Sequence, residues 1–322
     1  MTTPSHKRMK AVVHNVYGDA DVLRMEDVPR PTVKPNQVLV RVHAAGVDRG
    51  AWHAMTGLPL IARLGFGLRG PRNRTPGLDL AGVVEEVGSE VTGFRRGDEV
   101  FGEGSSSWAE YATAKPTRLV RKPAHLSFEQ AAAIPTSGAT ALRMVTPKFT
   151  AAPREVLVIG AGGGVGSFTV LLAKAQGDHV TAVCSTAKTD PVRRFGADRV
   201  IDYTREPLTG SYDLIVDIAG NRPLSTLRVL LKPTGTLSIA GGENGGRFFG
   251  GLERNLHAFA VTPFLKQTLR APIVIATRDD LTALTGIASP LESTYPLSEA
   301  ATAMHRLATG QVAGKTVLTV AH

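Results

Sequence analysis

Between Glu155 and Lys188 the chain reads EVLVIGAGGGVGSFTVLLAKAQGDHVTAVCSTAK. Val156 to Ile159 form a short apolar run, Gly162, Gly163, Gly164 and Gly166 crowd the next positions, and an apolar segment reaches Gln176 and Gly177 before His179 to Cys184. A buried strand, a tight turn, a helix and a second strand satisfy that order. So tight a strand-to-helix turn needs residues that tolerate unusual dihedrals, and the helix beyond it begins with free N–H groups and positive potential. On its last glycine the G-x-G-x-x-G pattern falls on Ala161, Gly163 and Gly166, with alanine in first place. A glycine pattern alone also describes a flexible loop. Flanked by strand, helix and strand, it predicts a dinucleotide-binding unit in which Ala161, Gly163, Gly164, Val165 and Gly166 cradle the pyrophosphate.

The end of the second strand selects the cofactor. NAD-preferring folds place Asp or Glu there to accept from the ribose 2′-hydroxyl. Here the place reads Cys184-Ser185-Thr186-Ala187-Lys188. Two hydroxyls and an ammonium suit a 2′-phosphate through charge-assisted hydrogen bonds, and Tyr203, after a third strand at Arg199 to Ile201, adds a phenol. The expectation is NADPH over NADH. The competing reading makes Ser185 and Thr186 the start of the next helix and Lys188 a solvated charge.

At 322 residues the chain exceeds the usual single domain, and 34 glycines and 20 prolines fit an α/β protein with many turns. One cysteine excludes an internal disulfide and a cysteine-rich zinc lobe, and suits a reducing cytoplasm. The opening MTTPSHKRMKAVV lacks a sustained apolar core, and no long apolar run follows, so a soluble protein without membrane insertion is expected. The net charge of +9, from 37 basic and 28 acidic residues, raises a nucleic-acid partner. Arg63, Arg69, Arg72 and Arg74 do cluster, but without the interleaved aromatics of a stacking platform. A phosphate-bearing cofactor accounts for the charge with fewer assumptions.

Met9 to about Arg121 is strand-rich, with candidate strands at Lys10 to His14, Val22 to Asp27, Gln37 to His43, Leu80 to Val87, Asp98 to Phe101 and Trp108 to Ala112. This is the pattern of a twisted, barrel-like antiparallel domain. Ala44 to Gly57 carries a helical turn, and Leu58 to Pro76, rich in Gly, Pro and Arg, reads as a long loop over a site. Ser127-Phe128-Glu129-Gln130 is a capping-box start for a helix that Pro135 ends, with a second helix after Thr136-Ser137-Gly138. Apolar segments at Asp213 to Ile218, Thr236 to Ala240 and Ile273 to Ala276 then alternate with a helix at Leu224 to Leu231, which implies a doubly wound parallel sheet. The tail, with a helix starting at Pro296-Leu297-Ser298-Glu299 and a strand at Lys315 to Val320, is expected to return to the first domain. The domain expectation is 1–122 with 288–322, and 123–287 between them.

Taken together, AAGVDRGAW, PGLDLAGVVEEVG, GDEVFG, AAAIPTSGATA, GAGGGVG, GADRVIDYT and GKTVLTV resemble the zinc-independent quinone oxidoreductase branch, zeta-crystallin-like, of the medium-chain dehydrogenase/reductase superfamily, over nearly the whole chain. The resemblance implies a split GroES-like catalytic domain, a Rossmann domain between its parts, and a cleft where NADPH donates hydride. It also implies a homodimer paired through cofactor domains, and the apolar Pro272-Ile273-Val274-Ile275 is a candidate edge for joining two sheets. Zinc-dependent relatives carry cysteine after the Gly-Val pair and a Gly-His-Glu further on; here those places read Asp48 and Gly77-Leu78-Asp79. Leucine cannot ligate zinc, and His43 and His53 lack soft partners, so no metal is expected. An acceptor reduced without a metal must already be electrophilic, as quinones and activated enones are.

Asp48 matches a position where these reductases commonly have asparagine; as a carboxylate it reads as a proton donor, a hydrogen-bond acceptor or a cap on the following turn. Trp52, one turn later, is either a wall for a planar acceptor or core. Thr140 matches the family threonine near the nicotinamide, or packs its helix; Gly241 permits close approach to the nicotinamide half, or is a turn glycine. The rival readings are an enone or enoyl-thioester reductase, an NADPH-responsive nucleic-acid-binding protein, and an NADPH sensor. The thioester version is disfavoured by Trp52 standing where those relatives have a proton-donating tyrosine.

Overall fold

A computed structural model describes residues 7–145, 153–242 and 245–322. The first six residues of the amino-terminal reading lie outside the described ones.

The fingerprint strand Glu155–Ile159 lies inside a six-stranded parallel sheet, ordered Arg199–Asp202, His179–Cys184, Glu155–Ile159, Tyr212–Asp217, Leu231–Ile239 and Thr268–Arg270. EVLVI and HVTAVC are apolar runs rather than alternating ones because helices cover both sheet faces. On one face the fingerprint helix Gly164–Ala175 packs against Pro135–Val145, and Phe168, Val170, Val156 and Val158 share a core with Ala139 and Leu284. On the other, Leu157, Ile159, Ile215 and Leu237 pack against Leu227 and Ala258.

The second sheet has seven strands. Val38–Val47 pairs antiparallel with Asp79–Val87, with Tyr111–Ala114 and with Lys315–Thr319, so the carboxy-terminal strand does return to the first domain. Glu99–Glu103, Leu119–Arg121 and Leu291–Pro296 complete it, while Arg8–Val13 and Arg24–Pro29 form a separate hairpin. Alternation along Val38–Val47 turns Val38, Val40 and Val42 into a core closed by Trp108, Met55 and Met304.

Several expectations shift. Pro135 does not end a helix: Ser127 and Gln130 form their capping box on Phe128–Ala132, and Pro135 opens the next helix, where a missing N–H costs nothing. The last strand is Thr268–Arg270, not Ile273 to Ala276; 271–277 carries no regular structure, and Pro272 removes a ladder donor there. Leu58 to Pro76 holds two short helical pieces, Leu60–Ala62 and Arg63–Phe66. A further helix, Leu252–Val261, is not marked by the sequence pattern, because Leu252, Leu256 and Phe259 are exposed and its apolar period does not report burial. Arg278–Leu284 is a helix whose Thr277 cap and Asp280 form a reciprocal box.

Candidate active site

The glycine turn is built as its residues require. Gly160 takes a positive φ of 87°, and a Cβ on Gly166 would overlap the Gly160 carbonyl and lie 2.7 Å from Ala161 Cα. Ala161 is fully buried beneath the turn, so its methyl packs inward. Gly163 is the helix N-cap and has no side-chain cap bond, which leaves the first N–H groups of a 12-residue helix to an anion. Val165, partly buried, turns its carbonyl to the Thr169 hydroxyl (2.8 Å). A Cβ on Gly163 would meet only the Gly160 carbonyl, at 3.6 Å. The turn therefore fits a dinucleotide's pyrophosphate.

Around the adenosine end the structure adds a group that the sequence reading missed. Asp202 pairs in register with Cys184, and its carboxylate accepts from the Thr186 hydroxyl (2.5 Å) and from the Thr204 N–H and hydroxyl. The hydrogen bond from Thr186 is the leading cause that holds the Asp202 carboxyl below its usual range. Thr186 thus spends its proton on an acid, while Ser185 caps the following turn without a side-chain bond. The stem of Lys188 lies across Gly162, where a Cβ would come 2.5 Å from Cδ. Tyr203 is 53% exposed, with the Arg222 guanidinium 6.0 Å from its ring centre. A parallel register carries Asp202 to that corner, and the signal was the second Asp in GADRVIDYT.

At the nicotinamide end, Thr140 donates to the Thr136 carbonyl (2.7 Å), a bond within its own helix. A Cβ on Gly241 would overlap the Ile218 carbonyl, so the glycine is required by packing of two strand ends. Those ends are fixed by the fully buried Asp217, which accepts from Gly220 N–H (3.0 Å) and Arg254 (2.5 Å). Over the cleft, Leu60 and Ile61 donate backbone bonds to the carbonyls of Arg247 and Phe248 (2.9 and 3.1 Å), joining the Leu58 to Pro76 loop to the cofactor sheet's side.

Asp48 caps the helix Arg49–Thr56: its Oδ1 accepts from Ala51 N–H at 2.9 Å. Its Oδ2 is buried with no hydrogen-bond partner, so the cap consumes one oxygen and leaves the other. Trp52 is half-buried against the catalytic-domain core, between the Arg49 guanidinium (5.3 Å) and the edge of His53 (5.0 Å). His53 bonds through Nδ1 to the Leu58 carbonyl (2.6 Å), and His43 stacks on Phe128 (4.5 Å). Burial is the leading cause that lowers the pKa of both rings. Among the described residues no group of three or more His, Cys, Asp or Glu gathers as a metal site.

Behind Asp48 lies a second unread group. Asp79 is fully buried; its Oδ1 accepts from the Thr136 N–H (3.0 Å) and hydroxyl (2.6 Å), and its Oδ2 faces Lys315 Nζ at 3.7 Å. Lys315 is itself buried, bonds to the Val47 carbonyl (3.4 Å), and rests its stem against Gly164. Burial first, and then the charge of Asp48, push the Asp79 carboxyl up to about 7, against the pull of Lys315 and Thr136. Glu103, opposite Asp79 in the sheet, is raised by burial but is paired with Arg118 at 3.0 Å.

A glycine turn at the carboxyl end of a parallel sheet, joined to a mostly antiparallel seven-stranded sheet through the returning carboxy-terminal strand, defines a two-domain nicotinamide-dinucleotide oxidoreductase fold. Known proteins agree. Residues 34–148 match the family model for an alcohol dehydrogenase GroES-like domain, and residues 195–318 that for a zinc-binding dehydrogenase. The chloroplast envelope quinone oxidoreductase homolog of Arabidopsis thaliana is 30% identical over 97% of this chain and 98% of its own length. The chloroplastic NADPH-dependent alkenal/one oxidoreductase of the same plant is 36% identical over 66% of this chain, which spans only 58% of that relative. The quinone oxidoreductase structure from Coxiella burnetii superimposes with a TM-score of 0.82 at 27% identity, covering 98% of this chain and 100% of that one. The chain belongs to the medium-chain dehydrogenase/reductase superfamily, in its quinone oxidoreductase branch.

Proposed function

We propose that the chain is an NADPH-dependent oxidoreductase that reduces quinones or related activated enones without a metal. The observation that carries the reading is the pairing of an obligate glycine turn with a cleft in which Asp48 and Leu78 stand where zinc-dependent relatives have cysteine and histidine. Ala161, Gly163, Gly164, Val165 and Gly166 hold the pyrophosphate; Ser185, Lys188 and Tyr203 take the 2′-phosphate end, with Thr186 orienting them from Asp202; Thr140 and Gly241 border the nicotinamide. When bound, the reduced nicotinamide supplies a hydride, which is two electrons with one hydrogen nucleus. Trp52 positions a planar acceptor, and the uncommitted Oδ2 of Asp48 handles the accompanying proton. The name of the alkenal/one relative supports both the cofactor and the acceptor class.

The catalytic unit in this proposal is 1–122 with 288–322, and the cofactor unit is 123–287. A homodimer is part of it: Thr268–Arg270 is the outer strand of the parallel sheet, and beside it Ile273 is 95% and Phe264 87% exposed. Sedimentation at micromolar concentration should show dimers; monomers would remove this part. A cytoplasmic location rests on the single, buried Cys184, and fractionation of cells tests it. Among the described residues no helix is long and apolar enough to cross a membrane.

The test is NADPH oxidation by metal-analysed protein across quinones, enones, enoyl thioesters and aldehydes. Turnover of quinones or enones is expected. Activity confined to enoyl thioesters, or present only after zinc addition, would contradict the proposal. Asp48→Asn should lower turnover and alter its pH dependence; unchanged rates at every pH would remove Asp48 as proton handler.

A further inference from the structure

The group of charges behind Asp48 is assembled from segments far apart in the chain. Asp79 opens the strand Asp79–Val87, Glu103 ends the strand opposite, Lys315 opens the carboxy-terminal strand, and Thr136 lies in the first turn of the helix that carries Thr140. Three carboxyls, those of Asp48, Asp79 and Glu103, face two cations, those of Lys315 and Arg118, and Glu103 with Arg118 forms its own pair. That leaves one buried ammonium for two buried carboxyls. Each of those carboxyls keeps one oxygen, Oδ2, that is buried and without a hydrogen-bond partner. Burial and the neighbouring charge of Asp48 favour a proton on Asp79, against the pull of Lys315 and Thr136.

We propose that Asp79, fixed by Thr136 and Lys315, is a positioning residue that keeps one proton on the Asp48–Asp79 pair for delivery to the reduced acceptor. This rests on the proposed reductase reading and adds to it the source of the proton. An acceptor that has taken up a hydride carries one negative charge, on its oxygen or on the carbon next to its carbonyl. One proton leaves the pair through Asp48, forms the new O–H or C–H bond, and is replaced from solvent. Asp79, with no exposed surface, never touches the acceptor; it acts through Asp48. Lys315 joins this store to the cofactor end, because the same side chain lies on Gly164 and the preceding Gly314 N–H donates to the Gly162 carbonyl at 3.1 Å. The helix from Pro135 ties it to the nicotinamide end through Thr136.

The experiment is infrared difference spectroscopy of the full chain across pH 5 to 9, on wild type, Asp79→Asn and Asp48→Asn, with no cofactor or acceptor added. Wild type should show the carbonyl stretch of a protonated, buried carboxyl that disappears with a midpoint near neutrality. It should be absent from Asp79→Asn, and in Asp48→Asn its midpoint should move, because the neighbouring charge is gone. In steady-state assays the alkaline fall of wild-type turnover, about tenfold per pH unit above the midpoint, should vanish in Asp79→Asn while the KM for NADPH stays within about threefold. Should Asp79→Asn fail to fold, the double variant Asp79→Asn/Lys315→Met, which removes both members of the Asp79–Lys315 ion pair, answers the question of the carboxyl band. A wild type with no carboxyl band titrating near neutrality, or a band that persists without Asp79, overturns the proposal even if the protein is an active quinone reductase. A protein that shows the band but reduces no quinone or enone overturns the reductase reading, and with it the delivery step.

Discussion

The glycine turn and the charged seam behind Asp48 sit against each other, separated by little more than the stem of Lys315, yet they are built by opposite means. The turn is a contiguous stretch whose tasks are done by the backbone and by missing side chains. The seam takes single side chains from the segments around residues 48, 79, 103, 136 and 315, and its behaviour depends on charge in a dry place. A local device is written as spacing along the chain. A charge device made from distant segments is written only in the fold.

Breaking the pair at the seam should have the largest effect. Lys315→Met alone leaves Asp79 buried without its cation and should cost about 3 kcal/mol or more of stability, whereas the double variant Asp79→Asn/Lys315→Met, which removes both members of the ion pair, should recover most of it. Denaturant titration of the three proteins checks this. Equal losses in single and double variants would mean that packing, not charge, holds the seam.

The turn can be challenged from its far rim. Gly241→Ala drives a methyl into the Ile218 carbonyl and should cost about 1–3 kcal/mol through backbone displacement, with a weakened nicotinamide end. Thermal melts together with the KM for NADPH measure both. At the adenosine end, Lys188→Glu should raise the KM for NADPH by about tenfold relative to NADH, since a charge-assisted bond gives way to repulsion. An unchanged preference would remove Lys188 from the 2′-phosphate site. Asp202→Asn, which releases Thr186, should move preference in the other direction by a smaller factor.

The seam also predicts a pH dependence that the turn does not. Asp79 is ordinary when the chain is unfolded and raised to about 7 when it is folded, so the native state binds the proton more tightly. Its contribution is fully present below about pH 4 and is lost as pH rises towards 7. Stability should therefore decline across that window in wild type by more than in Asp79→Asn. Parallel slopes would place the proton elsewhere.

What could be read from the residues follows the same division. The glycine turn, its flanking strands, the capping box at Ser127 and the returning strand Lys315–Thr319 were all legible, because each is a local pattern or belongs to a motif. Asp79 and Lys315 were in view inside PGLDLAGVVEEVG and GKTVLTV, but nothing in either motif says that their side chains meet. Asp202 was missed for a related reason: parallel pairing, not proximity in sequence, brings it to Thr186. The cap role of Asp48 was legible from its place before a helix. Its second, uncommitted oxygen was not, since solvent exclusion there comes from the surrounding sheet.

The central claim is that the turn binds NADPH while the seam serves the step after binding. Fluorescence titration of NADPH against wild type, Gly166→Val and Asp79→Asn tests it most directly. The account predicts affinity lost by about 100-fold in Gly166→Val, equivalent to about 2.7 kcal/mol, and held within about threefold in the seam variant. Near-wild-type affinity in Gly166→Val, or an equal loss in the seam variant, would contradict it.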